Sequence, residues 1–336
     1  MEVATPDSNE VRILRALLDA GEGFVSGQDL ASSLRISRVA VWKRIEGLKR
    51  RGHDFEAVRR RGYRLRSFPD RPTASGVFAR LPAGAHLRRL YLAESSPSTN
   101  DDAARLLASG EEAPLACLTR RQPGGKGRRG RSWSGDEEGN LYASLGFRPD
   151  ASPRFLSLLP IRSGLSVCAL LRGATGLDLR LKWPNDLLAG GRKVGGMLAE
   201  STVETNHVTG LVFGIGLNVN LSREQLPPAL RETATSLAIE AGRRFDLSRI
   251  AALVLDGILG ATEECLGGID EERLAEDWAE FASFQGERVE VNDGDGTRAE
   301  GYQAGIDRSG ALLLRTDDDR LRSFRAGDVS MRPATP

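Results

Sequence analysis

The sequence predicts an α+β chain of three parts: a winged helix-turn-helix, a central mixed α/β domain and a small β-barrel. Three observations lead there. Residues 1–67 place two short helical patterns, a tight turn and a basic-faced third helix ahead of two short strand patterns. The middle of the chain mixes apolar strand-like runs with long helices. From Glu287 onward, short strands alternate with Asn-Asp-Gly-Asp-Gly and Asp-Arg-Ser-Gly turns, the punctuation of a barrel. A length of 336 residues suits two or three domains, with boundaries expected at 1–67, 73–285 and 286–334.

In the first part, Val11–Asp19 carries Val11, Leu14, Leu17 and Leu18 on one stripe. Ser26 and Asp29 form a capping signature for a helix through Ser33. After the turn Leu34-Arg35-Ile36, Ser37 caps a third helix to about Arg50. Its Val41, Ile45 and Leu48 face inward, while Arg38, Trp42, Lys43, Glu46 and Lys49 face out. Phe55–Val58 and Tyr63–Leu65 read as wing strands joined by Arg59-Arg60-Arg61-Gly62. The segment 35–66 holds 12 Lys/Arg against 3 Asp/Glu, although the whole chain is only +1. Concentrated positive charge on a small module marks a polyanion partner. Ser37, Arg38, Trp42 and Lys43 on the helix, with Arg59, Arg60 and Arg61 on the wing, are the expected DNA contacts.

The bulk composition excludes several classes. With 40% hydrophobic and 28% charged residues the chain reads as globular. No uninterrupted apolar run reaches the roughly 18–20 residues of a membrane span, and no secretory leader pattern is seen. Cys117, Cys168 and Cys265 are odd in number and far apart, and His53, His86 and His207 match no metal spacing. Neither a disulfide framework nor a metal site is indicated, and the cytoplasm is the expected location.

The central part is organised around Gly125–Trp133. From Arg120 to Trp133 there are six Lys/Arg and no acid. Unpaired cations are costly to bury, and the glycines let backbone N–H groups approach a ligand, so the fitting occupant is an anion. Gly125–Gly130 also fits G-x-G-x-x-G, but no apolar-periodic helix opens on the third glycine, as a dinucleotide fold requires. Upstream, Leu90–Ala93 reads as a strand and Ser98 caps a helix through Ser109, a start suited to a polar ligand. Pro114–Thr119 and Asn140–Phe147 are strands flanking the loop, and Phe155–Thr175 is a long core helix. Lys182 stands beside Trp183 in an apolar strand, and Lys193 precedes a glycine pair in another. Leu211–Asn220 is a buried strand carrying glycines where a ligand could approach. Leu247–Cys265 and Glu271–Gly286 are amphipathic helices.

These residues together resemble the bifunctional biotin–protein ligase and biotin operon repressor family over nearly the whole chain. The resemblance rests on Ser98-Thr99-Asn100, the Gly125–Trp133 loop, Lys182-Trp183-Pro184-Asn185-Asp186, Lys193 through Glu200, Gly214 through Asn218, and Gly305 through Leu314. It implies a class II synthetase-like central domain and an SH3-like barrel. It also implies a two-step reaction in which biotin and MgATP give biotinyl-5′-AMP and pyrophosphate, and a lysine of a carrier domain then takes the biotinyl group. By resemblance Ser98, Thr99, Asn100 and Gln122 hold the ureido end of biotin, while Lys126, Gly127 and Arg128 line its carboxylate and phosphate side. Lys193 bridges carboxylate and α-phosphate; Arg131, Trp133 and Asn218 join Arg128 and Lys193 in holding the nucleotide; Asp186 positions the incoming amine or metal. Implied partners are the biotin carboxyl carrier protein of acetyl-CoA carboxylase, operator DNA and, with adenylate bound, a second copy of the chain; no membrane is implied. The sequence departs from the family at Lys126, where the loop ordinarily has arginine, so the charge is kept and the bidentate fork lost. A biotin-sensing transcription factor without catalysis and a lipoate-type acyltransferase are the competing readings.

Overall fold

The structure, a computed structural model, describes residues 1–205, 207–292, 298–325 and 330–333. After a short strand β1 (Glu2–Ala4), the chain forms α1 (Asn9–Asp19), α2 (Gly27–Leu34) and α3 (Arg38–Arg50). Serine caps set the last two starts: Ser26 accepts from the Asp29 amide and Ser37 from the Ala40 amide. Val11, Leu14, Leu30, Val41, Ile45 and Leu48 close a small core beneath the wing hairpin β2 (Asp54–Val58) and β3 (Gly62–Ser67). Val25 and Tyr63 exchange both backbone bonds, adding a one-residue third strand to the wing.

The central domain runs α4 (Ala74–Arg80), β4 (Arg89–Ser95), α5 (Thr99–Ala108), β5 (Leu115–Arg121), β6 (Leu141–Phe147), α6 (Phe155–Thr175), β7 (Leu179–Lys182), β8 (Asp186–Ala189), β9 (Arg192–Glu204), β10 (His207–Leu217), α7 (Leu237–Ala241), α8 (Leu247–Gly267) and α9 (Glu271–Phe281). Its sheet has the order β1-β4-β5-β6-β10-β9-β8-β7, antiparallel except for the β4–β5 pair. Helices α6 and α8 cover one face and α5 the other. Two-residue periodicity divides the strands between them. On β5, Ala116 and Leu118 join the large core while Leu115 and Cys117 turn to the α5 side. Helix α6 is long and apolar enough to cross a membrane, but here it is a core helix. Its Arg162 reaches Glu264 and its Arg172 the Leu179 carbonyl. A five-stranded antiparallel sheet ends the chain: β11 (Arg288–Asn292), β12 (Arg298–Ile306), β13 (Leu312–Arg315), β14 (Leu321–Phe324) and β15 (Ser330–Pro333).

Two elements lie outside the expectations from sequence, and two expectations need correction. Strand β1 and helix α4 have no periodic signal, and both depend on tertiary partners. The β1 strand pairs with the β4 edge, and Glu2 bonds both Arg120 Nη2 (3.1 Å) and the Ala74 amide (3.0 Å). At the C-terminal end of α4, Arg15 of α1 donates to the Phe78 and Leu81 carbonyls. The helix expected to reach Gly286 stops at Phe281. There the chain turns extended, and the Ser283 amide bonds the Leu181 carbonyl at 2.7 Å, extending the β7 edge. Trp183 lies just past its strand, which ends at Lys182. Its indole donates across the domain boundary to the Gly310 carbonyl at 3.1 Å.

Candidate active site and nucleic-acid interface

Strand β10 builds the floor of the site. Leu211, Phe213, Ile215 and Leu217 point into the core, so the intervening Gly214 and Gly216 face the opposite side. Both glycines are required by close approach. An added Cβ would lie 2.1 Å from Asn100 Oδ1 at Gly214 and 2.5 Å from the Trp133 ring at Gly216.

Over Gly214 sits a buried polar cluster at the start of α5. Ser98 caps the helix, and the Thr99 amide and hydroxyl both donate to Gln122 Oε1, at 2.8 and 3.0 Å. Thr99 Oγ1 also meets Ser144 Oγ at 2.7 Å. Ser144 donates to Asn100 Oδ1 (2.6 Å), and Asn100 Nδ2 donates to Glu200 Oε2 (2.5 Å). A fixed lattice of donors and acceptors in a buried pocket is suited to a small polar head group such as a ureido ring.

The glycine loop folds over this pocket as a tight hairpin. Gly127 and Trp133 amides bond the Arg131 and Gly125 carbonyls at 2.7 and 2.8 Å, and Arg129 and Gly130 turn with positive φ. No α-helix opens there, as the sequence predicted. Arg128 Nη1 reaches Asn185 Oδ1 at 3.2 Å, and Lys126 Nζ bonds Asp101 Oδ1 at 2.5 Å. That hydrogen bond holds the Lys126 pKa above its ordinary value.

Lys193 stands between the loop and the floor. Its Nζ donates to Asp186 Oδ1 at 2.6 Å and lies 5.4 Å from the Trp133 ring centroid. The Lys193 amide and carbonyl are pinned by Thr233 and Thr235, at 2.8 and 2.9 Å. Asn218 Nδ2 donates to the Thr235 carbonyl at 2.9 Å, tying the end of β10 to the same wall. Lys182 pairs with Asp186 in β-register. Burial pushes its pKa down, and the charges of Lys193 and Arg131 push the same way against Asp186.

All of the residues expected from the sequence to act on biotin or nucleotide, from Ser98 to Asn218, border one cleft of about 600 Å³. Lys182, Asn185 and Glu200 stand in the sequence motifs without an assigned role, and Ser144, Leu230 and Phe284 stand outside them; all but Ser144 and Glu200 border that cleft. A usable signal existed for two of them: Ser144 is the polar residue of an apolar strand, and Lys182 a cation at a strand end beside Trp183. Leu230 and Phe284 gave none, because only the fold brings them there.

The expected nucleic-acid residues divide by what they touch. Ser37 serves as a helix cap. Arg38, Trp42, Lys43, Arg59 and Arg60 are exposed on α3 and the wing tip, where Arg60 has a positive φ. Arg61, also exposed, stacks on Phe24, 4.2 Å from the ring centroid, beside Arg64 at 4.7 Å.

Comparison with known proteins gives this geometry a family. Residues 92–218 match the biotin/lipoate A/B protein ligase family, residues 10–64 an HTH domain, and residues 284–332 the biotin protein ligase C terminal domain. The chain is 31% identical to the bifunctional ligase/repressor BirA of Bacillus spizizenii, covering 95% of this chain and 97% of that one. With the Escherichia coli bifunctional ligase/repressor BirA it shares 32% identity, covering 96% and 97%. Among solved structures it resembles the biotin protein ligase from Aquifex aeolicus in complex with biotin and ATP, with a TM-score of 0.64 and 28% identity over 73% of this chain and 99% of that one. With its basic loop, paired strand lysines and winged helix, the chain belongs to the bifunctional biotin–protein ligase and repressor family.

Proposed function

We infer that the chain is an ATP-dependent biotin–protein ligase that also represses transcription by binding operator DNA. The observation that carries the catalytic reading is Lys193, held by Asp186 at 2.6 Å at the junction of the buried polar pocket and the basic loop.

In the first step a carboxylate oxygen of biotin attacks the α-phosphorus of MgATP, and the bond to pyrophosphate breaks with its electron pair. Two anionic groups must meet, so the barrier is largely electrostatic. Ser98, Thr99, Asn100 and Gln122 hold the ureido ring. Lys126, Gly127 and Arg128 face the carboxylate and phosphates. Lys193, a compact charge on a pinned strand, turns from Asp186 to the carboxylate and α-phosphate. Arg131, Trp133 and Asn218 hold the nucleotide, and the loop acts as a lid. In the second step the amine of the carrier lysine attacks the acyl carbon of biotinyl-5′-AMP, AMP leaves, and the amine gives up a proton. That amine has an ordinary pKa of about 10.4, so it needs help. Asp186, released from Lys193, is placed to orient it.

The division into 1–67, 73–285 and 286–334 gives these tasks to a DNA reader, a catalytic core and a barrel, with β1 crossing back onto the core sheet. The carrier is the biotin carboxyl carrier protein of acetyl-CoA carboxylase, and the location is cytoplasmic. Adenylate drives dimerisation, and the dimer reads two operator half-sites through Arg38, Trp42 and Lys43, with Arg59, Arg60 and Arg61 on phosphate. A sedimentation measurement that finds a monomer with adenylate present refutes that coupling. The direct test of the enzyme is biotin transfer to a carrier domain with ATP and Mg²⁺. Lys193→Ala is expected to lower it by about 10²–10³-fold, the loss typical of one transition-state donor. Absence of transfer by the unmodified chain, with biotin still bound, identifies a sensor instead.

A further inference from the structure

The reading face of α3 is not only basic. Val39 is 62% exposed and Trp42 52% exposed, on a helix whose opposite stripe, Val41, Ile45 and Leu48, is fully buried. These two apolar side chains stand three residues apart near the helix start and share one face. Cations flank them on or beside α3, namely Arg35, Arg38, Lys43 and Arg44; these, like Arg59 and Arg60 on the wing, are exposed and make no ion pair among the described residues. Solvent exposure of an indole and an isopropyl group within a field of unpaired cations stabilises nothing in the isolated chain. It suits a polyanion that carries apolar groups on its surface.

We propose that Val39 and Trp42 select operator half-sites by packing on thymine 5-methyl groups in the major groove. The inference rests on the repressor reading and specifies its chemistry. Of the four bases only thymine offers a methyl group there. The first residues of a recognition helix are those that meet base edges. Three residues advance about 4.5 Å along a helix, against about 3.4 Å between stacked base pairs, so the two side chains fall on neighbouring steps. The flanking cations hold the register through phosphate and carry no sequence information themselves. The half-site therefore has thymine at two adjacent or next-adjacent steps, on either strand, beneath the start of α3.

The test uses the full chain with biotin, ATP and Mg²⁺. Half-sites are first selected from randomised duplexes, and each thymine of the selected sequence is then replaced by deoxyuridine, which deletes only the methyl. Affinity is expected to fall about fourfold at each of two positions, the worth of one buried apolar carbon, and to hold elsewhere. Val39→Ala should abolish the uracil penalty at one position and Trp42→Ala at the other, with unchanged circular dichroism showing that the fold is kept. Equal affinity for thymine and uracil at every position overturns the proposal, and this arm leaves the protein untouched. A chain that selects no sequence at all overturns the repressor reading, and this inference with it.

Discussion

Gly216→Ala tests how the sheet floor sets the proposed nucleotide site. An added Cβ lies 2.5 Å from one atom of the Trp133 ring and 2.7 and 3.0 Å from two others. Ordinary contact needs about 3.5 Å or more, so ring or strand must give by about 1 Å. The strand cannot, because Gly216 is paired with Tyr142 of β6 on one side and Gly196 of β9 on the other. The ring therefore moves, which disturbs its place 5.4 Å from the Lys193 ammonium. A misplacement of this size in a positioned site costs about 10²-fold in rate, or about 2.7 kcal/mol of transition-state stabilisation. The fold should be little affected, since alanine in a strand interior is slightly better tolerated than glycine. Gly210→Ala on the same strand is the control, because its added Cβ meets Thr202 at an ordinary 3.5 Å. The assay is pyrophosphate release with saturating biotin and varied ATP. The reasoning predicts about a 100-fold lower kcat/KM for ATP in Gly216→Ala and no change in Gly210→Ala. A Gly216→Ala enzyme within threefold of the unmodified one would refute it.

Other outcomes follow from the same geometry. Asn100→Ala leaves Ser144 and Glu200 without a shared partner, at a cost of about 1–3 kcal/mol of stability. It should raise the KM for biotin at least tenfold and leave that for ATP unmoved; parallel shifts in both would contradict the assignment of this pocket. Lys182→Met replaces a cation whose pKa is pushed down by burial, so Tm should rise while pyrophosphate release slows; a drop in Tm would show that the ammonium is stabilising. His53 is buried against Phe68, with Nδ1 on the Leu48 carbonyl, and burial lowers its pKa from 6.5. The unfolded imidazole takes a proton first as pH falls, so stability is full above about 6.5 and declines below it. His53→Gln should flatten that decline in denaturant titrations between pH 7 and 5, and an unaltered slope would clear His53 of any part in it.

How much was legible in the sequence depended on how local the cause was. Serine caps and the 3.6-residue stripes located α2, α3 and the start of α5 without reference to anything distant, because a cap is satisfied within three residues. That the basic loop stays open to a cleft was legible, because charge without partners cannot be buried whatever the fold. Strand β1, helix α4 and the end of α9 were not, since each is fixed by a partner far along the chain: β4, Arg15 and the Leu181 carbonyl.

By itself the sequence determined the kinds of chemistry present: a cation-rich glycine loop, lysines at strand ends, capped helix starts and a basic recognition helix. Only tertiary structure decided which of them meet. Lys193 and Asp186 are brought together by adjoining strands, Trp133 lies on Gly216 across the floor of the cleft, and Glu200 of β9 reaches Asn100 at the start of α5. The same is true of Arg61, exposed in its run of three arginines, whose guanidinium only the packing of the wing brings onto Phe24. Side-chain type is a property of the residue, whereas distance between residues remote in sequence exists only once strand pairing and core packing have fixed the backbone.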